Sequence, residues 1–202
     1  MRGKIGPLGG VLRVALAVLL VAANLRADRT QLKPGMNFFK PEHDIELGKE
    51  AAQKAEEQFS LLKSPAVDAY LNRLGQRLVK YAPGYKYSYH IKAVNAAEIN
   101  AFALPGGILY INRGTIEAAK NEAELAGVMA HEIAHVALRH GTNQLSKAML
   151  AQAPLALLGG FLGSGGSVAG QVASLGIDLF ASGVFLRFSR TAETQADVLG
   201  TQ

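Results

Sequence analysis

A chain of 202 residues, 49% of them apolar, has room for one domain with short appendages and enough apolar surface for a core, which excludes global disorder. The net charge of +5 is a mild excess, partly carried by Arg2, Lys4, Arg13, Arg26 and Arg29, and no basic run interleaves with aromatics as a nucleic-acid surface requires. The absence of cysteine removes disulfides, thiolate zinc sites and cysteine nucleophiles together.

The N-terminus places basic residues before the uncharged run 14-VALAVLLVAA-23. That run suits a signal-peptide core and is short for a transmembrane span. Residues 1–27 therefore read as a signal peptide cleaved after Ala27, or as an uncleaved anchor, and either reading makes the remainder an exported protein. Residues 28–40, with Pro34 and Gly35, read as a linker.

From Asp44 to Leu62 the Ala, Glu, Lys and Gln content with helically spaced apolar residues predicts an amphipathic helix. Ser64 as N-cap and Pro65 at the first helical position open a second helix, with Val67, Leu71, Leu74 and Leu78 on one face. It ends before Pro83-Gly84. Residues 87-YSYHIKAVN-95 alternate and are rich in aromatic and β-branched types, a strand on which His90 is an ordinary half-exposed residue. In 100-NAFALPGGILYINRG-114 two apolar runs flank Pro105-Gly106-Gly107, a hairpin-like pair that would make a small antiparallel sheet.

A short helix covers 115–120. Asn121 with Glu124 has the form of an N-cap and its acidic partner, and the helix it opens is expected to run to His140, with Gly141 closing it. A further helix over 143–153 is expected to stop at Pro154. Residues 154–186 are apolar and rich in Gly and Ser, with Asp178 their one charge, and 190-RTAETQADVLG-200 reads as the start of a helix. The class is α+β, mostly helical.

The chemistry concentrates in 128-VMAHEIAHVALRHGT-142, which holds three of the five histidines. Residues four apart on a helix lie about 40° apart in projection and one turn apart in height, so His131 and His135 point the same way and can grip one ion. Glu132, turned about 100° from His131, flanks that ion without ligating it. Two neutral nitrogen ligands and a carboxylate placed to deprotonate the attacking water are what a hydrolytic zinc site requires. Chance would produce this H-E-x-x-H pattern in less than about one sequence in a hundred of this composition. His140, nine residues after His131, falls about half a turn away on the same helix, so it is read as a last-turn residue or one packing on a later segment.

A third ligand is still required, and no histidine follows His140. It is therefore a downstream carboxylate or lies upstream. Glu193 and Asp197 are again four apart in a helical stretch. Alone they would be a solvated helix face. With the upstream pair they read as one ligand carboxylate and one carboxylate that accepts a hydrogen bond from a ligand histidine.

His131-Glu132-x-x-His135 with Glu193-x-x-x-Asp197, preceded by Ser189-Arg190 and followed by Gly200, resembles the M48 family of zinc metallopeptidases, a gluzincin family. The stretches 100–114 and 42-EHDIELGKEAAQ-53 are similar to that family's strand pair and N-terminal helix, so the likeness spans 41–202. It implies a gluzincin-type peptidase domain over 41–202, with one Zn2+ held by His131, His135 and Glu193, Glu132 as general base, and Asp197 as the partner of His131. It also implies that the strand 108-ILYI-111 or its neighbour receives the substrate backbone. Further implied are periplasmic location and substrates among unfolded or misassembled envelope proteins. The family's domain is expected to continue past Gln202, which would make the domain incomplete at its C-terminus.

Because the histidine pair and Glu193 must meet at one ion, 154–186 cannot cross a membrane once between them. It either crosses none or dips in and returns, and its glycines favour a loop of short helices over the cleft with a membrane-surface contact open to it. The rival reading is a non-catalytic zinc-containing chaperone or scaffold domain of the cell envelope, for which Glu132 would have no use.

Overall fold

The computed structural model of the protein describes residues 30–158 and 188–202. The expected signal peptide or anchor lies outside the described residues, as does the glycine-rich segment beyond Leu158. Among the described residues no helix is long and apolar enough to cross a membrane.

Helix α1 (Pro41–Glu56) opens with Pro41 in its first turn. It stops short of the predicted Leu62 because the residues that follow join the sheet. Leu61 bridges Val94, and Leu62 N–H donates to Ala93 O at 2.8 Å. Helix α2 (Pro65–Val79) starts where predicted, with the Ser64 hydroxyl accepting from Val67 N–H. Strand β1 (His90–Val94), strand β2 (Ala101–Leu104), a 3-10 turn (Pro105–Gly107) and strand β3 (Ile108–Asn112) follow.

The order is β1-β3-β2, with β2 antiparallel to β3 and β1 parallel to it. The sheet is therefore mixed, not antiparallel as expected. The hairpin 101–112 is local and legible, whereas the parallel pairing arises because the 95–100 loop crosses the end of β3. That crossing passes against Gly114, where a Cβ would lie 2.0 Å from Ala97 O. Helix α3 (Arg113–Ala118) starts at this crossing.

Alternation along the strands divides the core into two layers. Ile91, Ala93, Leu109 and Ile111 face Leu71 and Leu74 of α2 and Leu125, Met129, Ile133 and Val136 of α4 (Glu122–Ala137). On the other face Val94, Leu104 and Tyr110 meet Leu47, Ala51 and Ala52 of α1 and Leu145 of α5 (His140–Leu158). Helix α6 (Arg190–Gly200), capped by the Ser189 hydroxyl, packs against α4.

Further helix boundaries also differ from expectation. Helix α4 ends at Ala137, and Arg139, not Gly141, adopts the left-handed conformation (φ 56°) that closes it. Arg139 can occupy this costly region because its guanidinium is held by both Asp44 oxygens, at 2.6 and 2.8 Å, and by Phe39 O at 2.7 Å. Helix α5 then begins at His140 and its backbone continues through Pro154, which removes a single N–H from the ladder. Part of the expected linker is also tied down. Asn37 donates to Thr142 Oγ1 and Phe38 N–H to Ser146 Oγ, both on α5.

Candidate metal centre

Helix α4 is positioned by its start and by one stripe. The Asn121 side chain accepts from Glu124 N–H at 3.0 Å, while the Glu124 carboxylate reaches back to Lys120 N–H. Leu125, Met129, Ile133 and Val136 bury the stripe against the sheet, which turns His131 and His135 toward α6 and Glu132 toward β2.

Three side chains from α4 and α6 converge. His131 Nε2 and His135 Nε2 face each other at 3.0 Å, and Glu193 Oε2 lies 3.3 Å from the first and 3.9 Å from the second. These three donor atoms lie within 4.8 Å of one another. His131 Nδ1 is 2.9 Å from Asp197 Oδ1. A carboxylate accepts, so Nδ1 carries the proton and Nε2 offers its lone pair toward His135 and Glu193. Burial first, and the neighbouring His140 and His131 next, hold the His135 imidazole down to about 3, so it is neutral. Two imidazoles and a carboxylate converging this closely form a set that a small divalent cation resolves, and the N, N, O donors suit zinc.

Gly200 makes the approach of α6 close. A Cβ there would lie 3.0 Å from His131 N and 3.2 Å from Ala130 C.

Glu132 is 9% exposed and lies in a cleft of about 190 Å³ with His131, His135, Glu193, Asn100, Ala101, Phe102 and Phe188. Burial pushes its carboxyl up to about 8, the Glu193 charge adds to this, and a hydrogen bond from the Ala103 backbone opposes it. A carboxyl near neutrality beside the converging donors can exchange a proton in both directions.

The cleft runs along β2. Asn112 N–H bonds Asn100 O, which with the register makes Phe102–Tyr110 and Leu104–Ile108 the bonded pairs. The backbone amides of Ala101 and Ala103 therefore point off the sheet, that of Ala103 to the Glu132 carboxylate. Of the two alternatives expected for the edge, 108-ILYI-111 or its neighbour, the first lies in the central strand β3, and the neighbour β2 is at an edge among the described residues. The other edge, β1, is bridged at Val94 by Leu61.

His140 is the main correction. Placing it on α4 assigned it to the far side, but the left-handed Arg139 breaks that helix and swings it back. His140 Nδ1 lies 2.9 Å from His135 Nδ1, and Nε2 lies 3.1 Å from Gln195 Oε1 on α6. It does pack on a later segment, as the second of the two readings had it, and it is not among the converging ligand atoms. Phe188, which carried no signal in the sequence, stacks on the His135 ring at 4.1 Å between centroids. Gln195 likewise carried none.

A helix-borne histidine pair, a carboxylate from a second helix and a buried carboxyl beside an open strand edge together define the class of HExxH metallopeptidases. The model of peptidase family M48 matches residues 65–202, and the chain belongs to that family. It is similar to the Beta-barrel assembly-enhancing protease of Escherichia coli (strain K12), 36% identical over 149 residues, covering 70% of this sequence and 30% of that protein. It is also similar to the mitochondrial metalloendopeptidase OMA1 of Schizosaccharomyces pombe, 29% identical over 131 residues, covering 65% of this sequence and 37% of that protein. The match thus spans about a third of the length of these relatives.

Proposed function

We propose that this protein is the catalytic unit of a zinc-dependent endopeptidase. In this reading His131, His135 and Glu193 hold one zinc ion, Asp197 orients His131, and Glu132 is the general base. The observation that carries it is the buried Glu132 carboxyl set between three converging donor atoms and the edge strand β2. Zinc held there supplies Lewis acidity to the scissile carbonyl and acidity to the attacking water. Glu132 takes a proton from that water as its oxygen bonds the carbonyl carbon, then passes the proton to the amide nitrogen as the C–N bond breaks. The outward N–H of Ala101 pairs with an extended substrate segment, and Ala103, whose N–H holds Glu132, sets that carboxylate beside the scissile bond.

The substrates of this proposal are unfolded or misassembled envelope proteins. Support comes from the name of the Escherichia coli relative, which concerns β-barrel assembly, and from the signal-like residues 1–27. The same proposal makes the protein exported and periplasmic, with membrane association through an uncleaved 1–27 or through 154–186. It divides the sequence into leader, linker 28–40 and peptidase domain 41–202.

The test is hydrolysis of casein or an unstructured peptide by purified protein. Glu132→Gln is expected to lower the rate at least about 100-fold with bound zinc unchanged, and a chelator to abolish it. Full activity in Glu132→Gln would sink the mechanism, and an inactive wild type that binds zinc would favour a non-catalytic chaperone or scaffold. Glu193→Ala is expected to lower bound zinc sharply; unchanged stoichiometry in metal analysis would overturn the ligand assignment.

A further inference from the structure

We propose that His140 is the positioning residue for His135, acting through a hydrogen-bond relay from His135 to His140 to Gln195. The inference rests on the metal reading above and adds residues to it. The two Nδ1 atoms face each other at 2.9 Å, so one must donate and the other accept. The far nitrogen of His140 lies 3.1 Å from Gln195 Oε1, and an amide oxygen only accepts. His140 Nε2 therefore carries a proton, His140 Nδ1 accepts, and His135 Nδ1 donates. That leaves the lone pair of His135 on Nε2, facing the Nε2 lone pair of His131 at 3.0 Å, a contact that a cation held between them and Glu193 would relieve. The reverse direction would put a proton on His135 Nε2 and block it as a ligand.

The place of His140 is built, not incidental. It is 5% exposed, and its ring stands edge-on to His135 at 75° with 4.9 Å between centroids. It follows directly on Arg139, whose left-handed turn is locked by Asp44 and Phe39. Phe188 covers a face of the same His135 ring. Helix α6 then supplies a ligand carboxylate in Glu193, the partner of His131 in Asp197, and the end of the relay in Gln195. Each imidazole thus has its Nδ1–H engaged, one by a charged acceptor and one by a neutral relay.

The spacing of atoms along side chains makes a discriminating experiment available. The Oδ1 of asparagine sits where histidine has Nδ1, whereas the Oε1 of glutamine lies further out. Zinc affinity is measured by chelator competition on the full chain, with ring 15N shifts of His135 read in the metal-free protein. His140→Phe is expected to weaken zinc about 10–100-fold, with His140→Asn recovering most of the loss and His140→Gln little. Gln195→Leu, which leaves His140 in place, is expected to shift His135 away from the Nδ1–H tautomer. Should His140→Phe fail to fold, the Gln195→Leu shifts decide the matter alone.

Zinc affinity in folded His140→Phe within about twofold of wild type would overturn the proposal, as would unchanged His135 shifts in Gln195→Leu. Equal losses in His140→Asn and His140→Phe would reduce His140 to a packing residue and overturn it too. A wild-type protein that binds no zinc would overturn the metal reading itself, a result separate from these.

Discussion

A Cβ on Gly200 would lie 3.0 Å from the backbone nitrogen of His131, so the helix carrying Glu193 and Asp197 meets the HExxH helix more closely than a side chain at the crossing ordinarily permits. Because His131 N belongs to a helix backbone, it cannot yield as a flexible side chain would. Gly200→Ala is expected to weaken metal binding modestly, and Gly200→Val to weaken it at least about 10-fold by moving Glu193 and Asp197 outward. Isothermal titration with zinc checks this; equal affinity in Gly200→Val would show that the crossing does not set the ligand distance.

Asp44, 1% exposed, takes two hydrogen bonds from Arg139 and one from the Tyr87 hydroxyl at 2.6 Å. Removing one side of a buried pair strands the other charge, so Asp44→Ala is expected to cost about 3–5 kcal/mol. Arg139→Gly relieves the left-handed backbone but strands Asp44. The double variant Asp44→Ala/Arg139→Gly should therefore lose clearly less than the sum of the singles in urea unfolding, and simple additivity would contradict this coupling.

Glu132 is pushed up to about 8 by burial and by Glu193, against an ordinary value of 4.5. Between those values the folded, metal-free protein binds more protons than the unfolded state, so the stability this group contributes is full below 4.5 and lost as pH rises through 8. His135 acts oppositely. Its imidazole is held down to about 3 from 6.5, so its contribution is present above 6.5 and lost as pH falls toward 3. With chelator present, Glu132→Gln should melt near wild type at pH 4.5 and above it at pH 8. A Tm difference independent of pH would contradict the assignment.

The Ala101 N–H points away from β3, so Ala101→Pro removes an edge donor without removing a sheet hydrogen bond. Bound metal and fold are expected to stay, while hydrolysis of extended peptides falls about 10-fold or more, mostly through KM. Unchanged hydrolysis would rule out backbone pairing at β2.

The parts of the molecule that local chemistry dictates were legible in the sequence. Ser64-Pro65, Asn121 with Glu124, and the hairpin about Pro105 each announce an element through a cap or turn, and the structure has all three. His131, His135, Glu193 and Asp197 were readable as candidates because one helix face brings residues four apart together. What was not readable depends on partners distant in the sequence. The break after α4 at Arg139 is set by Asp44, 95 residues away, and no local rule predicts a left-handed arginine two residues before Gly141, which lies inside α5. His140 was misplaced for that reason alone. The parallel pairing of β1 with β3 likewise depends on a loop crossing that the residues of neither strand encode.

With β1 bridged by Leu61 and β3 enclosed, β2 among the described strands offers an outward amide, that of Ala101, beside Glu132, while that of Ala103 is taken by the Glu132 carboxylate. A polypeptide can match such an edge where its own backbone is unpaired over several residues, a condition met by nascent or unravelled stretches and refused by finished sheets and helices. Selectivity would then be exercised on conformational state rather than on residue identity. The lifetime of exposed backbone in a client, and not a recognition motif, would set how long that client survives.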